Sequence, residues 1–153
     1  MKTIEEDSHR EEIVNFIENC DLEKPIEIII HSDGGGITTF QWFAHWLKDK
    51  NYRITVLHAM SAAVDLICLL DPKRIKAASY SIWMTHPVQS FLSAELGKRD
   101  RNHLNEYYNR QEEEATLPTK GKLPDDVYEK SLTDDVFFTT ADALKWGLIS
   151  EII

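Results

Sequence analysis

Residues 56–70 read V-L-H-A-M-S-A-A-V-D-L-I-C-L-L, and their reading decides the fold. An apolar β-type run over Ile54 to Leu57 gives way, through Ala59-Met60-Ser61-Ala62-Ala63, to an apolar helical run that extends to Leu70. Ser61 therefore belongs where a buried strand turns into a buried helix. A helix N-terminus there offers unpaired backbone N–H groups and a positive dipole end to a developing oxyanion, and the small neighbours leave room for a substrate carbonyl. Most serines at such junctions only cap the helix, so the remainder of the chain has to decide between a cap and a nucleophile.

Working outward toward the N-terminus, Ile26 to Ile30 is a short, nearly continuous apolar run, as expected of a strand buried on both faces of a parallel sheet. It ends in His31-Ser32-Asp33-Gly34-Gly35-Gly36, and I-T-T-F-Q-W-F-A-H-W-L-K-D-K then starts a helix with Phe40, Phe43, Ala44 and Leu47 on one face. A glycine turn after a buried strand can cradle a phosphate, but neither the GxGxxG spacing nor a following Gly-Lys-Ser/Thr is present. Nucleotide binding is set aside. Bare glycine amides can equally hold an oxyanion or pair with an extended substrate backbone. Farther upstream, Ser8 and Glu11 have capping-box spacing. Ile13, Phe16, Ile17 and Cys20 follow on one face, which predicts a helix from about 8 to 20.

Toward the C-terminus, Asp71-Pro72-Lys73 breaks the helix, and 74–77 and 81–85 read as two short strands, the second closed by His86-Pro87. The stretch from about 91 to 114 is polar, charged and helix-permissive, with Leu104, Tyr107 and Tyr108 as its main apolar points. So thin a stripe predicts a projecting helix that meets a partner subunit or a substrate path. A short helical turn D-D-V-Y-E-K-S-L follows, then Asp134-Asp135-Val136, a helix capped by Thr140, Gly147 at its C-terminal stop, and a last strand within L-I-S-E-I-I.

The whole is one α/β domain over 1–153 built of successive strand–helix units. A net charge of −9, with 17 basic against 26 acidic residues, argues against nucleic acid and anionic membranes as partners. The acidic, polar start does not resemble a signal peptide, and no apolar run approaches the ~18 residues of a membrane helix. A cytoplasmic protein is expected. Cys20 and Cys68 read as buried thiols rather than a disulfide framework. No cofactor and no metal are expected.

Three residues at element ends could make a site. Ser61 supplies a hydroxyl that is a weak nucleophile until a base takes its proton, and His86 supplies an imidazole, the side-chain type that can take that proton and return it. Asp135 supplies a carboxylate that can fix the tautomer and stabilise the imidazolium. With six histidines and 26 acids in the chain, residue types alone do not show that these three meet.

Four blocks taken together do resemble a known family. H-S-D-G-G-G-I-T from His31, A-M-S-A-A from Ala59, M-T-H-P from Met84, and D-V-F-F-T-T-A-D-A-L-K-W-G-L-I-S-E-I from Asp135 stand in order over 26–153. They resemble the ClpP family of serine peptidases in its N-S-P-G-G turn, A-A-S-M-G-A nucleophile segment, M-I-H-Q-P histidine segment and closing D-x-F block. The 25-residue interval between Ser61 and His86 also suits that family. The resemblance implies Ser61 as nucleophile, His86 as general base and then acid, Asp135 as orienting carboxylate, and the N–H groups of Gly35 and Ala62 as the oxyanion hole. It implies a ClpP/crotonase-like stack of ββα units with the 91–114 helix as a handle between rings. The activity implied is that of a Clp serine endopeptidase subunit cutting peptides or unfolded proteins inside a homo-oligomeric ring, a heptamer or stacked heptamers.

The departures are specific. Asp33 stands for the family's proline, Gly36 for a β-branched residue, and Ala62-Ala63 for Met-Gly, while Asp65 places a carboxylate one turn after Ser61 in an apolar helix, where it needs a partner. The family's N-terminal loops and first strand have no evident counterpart before residue 8, so partnership with an AAA+ unfoldase is not expected to carry over. The alternatives are a catalytically silent ClpP-like structural subunit and a crotonase-type acyl-CoA enzyme using the Gly35 and Ala62 amides. A Ser-Lys signal-peptide peptidase is disfavoured by the histidine at the base position.

Overall fold

The computed structural model describes residues 2–4, 9–87, 114 and 116–153. Its centre is a six-stranded sheet in the order β1 (Lys2–Ile4), β2 (Ile26–Ser32), β3 (Tyr52–Met60), β4 (Ile75–Thr85), β5 (Val136–Phe138), with β6 (Glu151–Ile152) also paired to β4. All pairs are parallel except β4 with β5. The helices are α1 (His9–Asn19), α2 (Ile37–Leu47), α3 (Ala62–Leu69), α4 (Asp125–Ser131) and α5 (Thr140–Lys145). The expected α/β class is what the chain adopts.

The apolar spacing produces the core it predicts. Phe40, Phe43, Ala44 and Leu47 of α2 are all buried, as is every residue of α3 from Ala62 to Cys68. Ile13 and Phe16 bury the inner face of α1, where Phe16 meets Phe43 edge-on at 5.9 Å. Because α3 is apolar on every face except at Asp65, it is an interior helix, held between α2 and the sheet.

Several details differ from the expectations. A strand does precede residue 8: Lys2–Ile4 pairs in parallel with Ile28–Ile30. Three residues are too few to show a period, and the register with β2 makes them a strand. The β2 strand is buried on one face only, since Glu27 and His31 point to the exposed side and Ile29 is half-buried. The two short strands expected over 74–85 form one, β4, whose pairing with β3 is interrupted between Val56 and His58. The residues skipped by that interruption carried the turn-like pattern. Thr139, not Thr140, caps α5, in a reciprocal capping box with Asp142, while Thr140 is buried. Gly147 ends α5 with φ of +74°. Cys20 is half-buried and Cys68 buried, and both are free thiols. The expected handle segment, except Glu114, lies outside the described residues. No described helix is long and apolar enough to cross a membrane.

Candidate functional site

Strand β3 runs to Met60, and the chain turns into α3 at Ser61 alone. Ser61 has φ 54° and ψ −126°, and among the described residues no other non-glycine has a positive φ. An L-residue in that region costs about 1–3 kcal/mol and persists only where its surroundings impose it. Here the imposing contacts are visible. The Ser61 N–H donates to Met84 O on β4 at 2.7 Å, and its carbonyl accepts the Val64 N–H at 2.9 Å as α3 begins. The side chain does not cap the helix. The half-buried hydroxyl is instead engaged by a side chain from another strand end, as at a nucleophile elbow.

His86 lies directly after β4, two residues beyond the Met84 carbonyl that holds Ser61. Its Nε2 is 2.7 Å from Ser61 Oγ. Its Nδ1 is 2.6 Å from Pro87 O. A carbonyl oxygen only accepts, so the Nδ1–H tautomer satisfies both contacts and leaves Nε2 as the acceptor for the serine proton. The histidine end of β4 is anchored from below. The Trp83 indole N–H donates to Thr140 Oγ1 at 3.1 Å, Thr140 donates to Ala78 O at 3.0 Å, and Trp83 stacks on Phe138 at 5.7 Å.

Asp135 is exposed and immediately precedes β5, whose antiparallel register pairs Val136 with Thr85. His86 and Asp135 are the residues that flank this last pair, one after β4 and one before β5. The described residues include no hydrogen bond between the two side chains, since the His86 Nδ1 position is occupied by Pro87 O. Ser61 and His86 are thus brought into hydrogen-bond contact, and Asp135 is brought to the neighbouring strand end.

The glycine turn after β2 stands against the serine. Gly34 has φ of +107°, and a Cβ added there would lie 2.5 Å from Ser61 Cβ and 2.8 Å from Met60 O. No side chain fits between them, so the turn backbone reaches the serine only through glycine. Gly35 follows with φ of +137°. Among the described residues the N–H groups of Gly35 and Ala62 meet no hydrogen-bond acceptor, and Ala62 opens α3, where the helix dipole is positive. A carbonyl oxygen drawn into this corner would find unpaired donors next to a base-coupled hydroxyl, the arrangement required for acyl transfer.

Sequence reasoning missed Gly34 as the contact surface for the serine. It also missed the side-chain contact between His58 and Asp33 beside the turn. The signal for the first was the need for close backbone approach at one particular glycine of three. For the second it was the aspartate standing where the resembling family has proline.

Asp65 is 9% exposed, one turn into α3, and has no hydrogen-bond or ion-pair partner among the described residues. Burial pushes its carboxyl up to about 7. Burial, followed by the nearby Asp65 carboxylate, also raises the Cys68 thiol well above its usual range.

A solved structure described as the crystal structure of a peptidase from Plasmodium falciparum superposes with a TM-score of 0.70 at 17% identity, covering 99% of this chain and 94% of that one. At that identity the likeness speaks for the fold. No curated protein matches the sequence. The family model for Clp protease matches residues 2–153, nearly the whole chain, and on that match the chain belongs to the Clp protease family.

Proposed function

We propose that this chain is a serine endopeptidase subunit of the ClpP type. The observation that carries the reading is the 2.7 Å contact between His86 Nε2 and Ser61 Oγ at a serine held with φ of 54°. In the proposed reaction Ser61 Oγ attacks the peptide carbonyl while its proton passes to His86 Nε2. The Gly35 and Ala62 amides take the charge on the carbonyl oxygen. The imidazolium then gives its proton to the leaving amine. Water repeats the sequence on the acyl-enzyme, and Ser61 regains its proton. The orienting role proposed for Asp135 is supported by the family pattern and by its position immediately before Val136, which pairs with Thr85 next to His86. In that role its carboxylate accepts the hydrogen bond from the His86 Nδ1–H in place of Pro87 O, and either acceptor selects the same tautomer.

Peptides or unfolded chains are the proposed substrates, and a homo-oligomeric ring in the cytoplasm is the proposed setting. No cofactor enters any step. The test is reaction of the purified chain with a fluorophosphonate, followed by peptide mapping, beside hydrolysis of a small fluorogenic peptide. Labelling at Ser61, and its loss together with hydrolysis in Ser61→Ala, are expected. A folded native chain that neither labels nor cleaves would replace this reading with the silent structural subunit.

A further inference from the structure

The glycine turn is pinned from both faces of β2, and one of the two pins reaches the strand that carries Ser61. On the inner side Ser32, 1% exposed, accepts the Gly34 N–H on its Oγ at 3.1 Å. On the outer side Asp33 Oδ1 accepts from His58 Nε2. His58 can make this contact only because β3 carries an extra residue. The pairing passes from Ile30–Val56 to His31–His58, so Leu57 has no partner on β2. Tyr52, Ile54 and Val56 face inward, and unbroken alternation would turn His58 inward as well. The bulge reverses the phase. His58 emerges on the outer side, where its ring stacks on His31 at 5.3 Å, and Ala59 becomes the next buried position.

We infer that Asp33 and His58 are a positioning pair, clamping the glycine turn to the nucleophile's own strand and so fixing the Gly35 amide relative to Ser61. The inference rests on the serine-peptidase reading above. Its basis is placement: Asp33 immediately precedes Gly34, whose backbone lies against Ser61, and His58 stands three residues before Ser61 on β3. The contact thus closes a short loop through the two segments that must keep their spacing while the carbonyl oxygen is held. Stability is a poor explanation for it. The Asp33 side chain is 46% exposed and that of His58 14%, and an ion pair or hydrogen bond with one partner so open to water contributes little to folding. A displacement of the turn amide, by contrast, is felt directly in the rate, because oxyanion donors act only at the geometry of the transition state.

The experiment uses the full chain, with a fluorogenic peptide for kcat and KM and a fluorophosphonate for the rate of Ser61 labelling. His58→Phe keeps a ring to stack on His31 but removes the donor. Asp33→Ala removes the acceptor. Each is expected to lower kcat and the labelling rate about tenfold or more, with KM within about twofold and the unfolding midpoint little changed. The double variant is expected to be no slower than either single one, because both break the same contact. His58→Gln restores an N–H donor at similar reach and is expected to recover most of the rate. Native labelling with unchanged kcat in both single variants, additive losses, or a loss confined to KM overturns the pair while leaving the peptidase reading intact. Absence of native labelling at Ser61 overturns both. Should His58→Phe fail to fold, Asp33→Ala, at an exposed position, decides the matter with the same readings.

Discussion

Ser61 is a strained residue held between rigid neighbours, and Asp65, one turn later, bears the cost of lying in the same buried helix. Its carboxyl is pushed up to about 7 by burial, from an ordinary value of 3.8, with the Cys68 thiol near it and Lys122 acting on that same thiol. Between those two pH values the folded chain holds a proton that the unfolded chain has released. Stability therefore falls as pH rises through that window, by at most about 4 kcal/mol, and the cost is absent below it. Asp65→Asn removes the charge at nearly constant volume. Urea unfolding at pH 5 and pH 8 is expected to show the native chain losing stability relative to this variant on going to the higher pH. Parallel profiles would mean that the carboxylate has a partner in solution. At this scale the sequence was informative about chemistry and silent about strain. Ser61 and His86 were legible because each sits at an element end, the latter marked by Pro87. Nothing in A-M-S-A-A announced a positive φ, which is set with the hydrogen bond that the Ser61 N–H donates to Met84 O on another strand. Nor did it announce which glycine lies against the serine.

Elements were legible in proportion to their length and periodicity. The four buried positions of α2 follow from the 3.6-residue spacing, and the all-apolar α3 from its lack of any polar face except Asp65. Bulges and three-residue strands were not, because both depend on pairing partners that are remote in sequence. The interruption in β4 is a case in point. Read locally, Ala78-Ser79-Tyr80 looked like a connection, but Thr140 from α5 accepts the Trp83 indole and binds Ala78 O, so the two halves are held in one strand. That joint is testable through Thr140→Val, which keeps the shape and removes the hydroxyl. The indole N–H of fully buried Trp83 is then left without its acceptor, at a cost of about 1–3 kcal/mol. A fall of several degrees in the thermal midpoint is expected. An unchanged midpoint would show that this hydrogen bond does not hold α5 to the sheet.

For the molecule as a whole, charge and apolar exposure pull in opposite directions. The chain carries −9 at neutral pH, so copies brought together in the proposed ring repel one another, and the repulsion grows with each subunit added. Against this, one face of the sheet leaves large apolar side chains in water: Tyr80 is 75% exposed, Ile82 52% and Phe137 64%. Tyr80, Ile82 and Met84 alternate along β4, and Phe137 pairs with Met84, so strand alternation puts the three exposed residues on a common side. Patches of this kind mark surfaces that other protein covers. Assembly driven by apolar burial and opposed by like charge has a definite salt dependence. Added salt screens the repulsion over a Debye length that falls from about 30 Å at 0.01 M to about 10 Å at 0.1 M, while leaving apolar contacts intact. Native mass measurement and sedimentation at rising protein concentration are therefore expected to give an assembly of whole multiples of 17.7 kDa that forms at lower protein concentration as salt is raised. A ring held instead by ion pairs between subunits would come apart under the same titration, and a species of one chain mass throughout would remove the ring from the proposal.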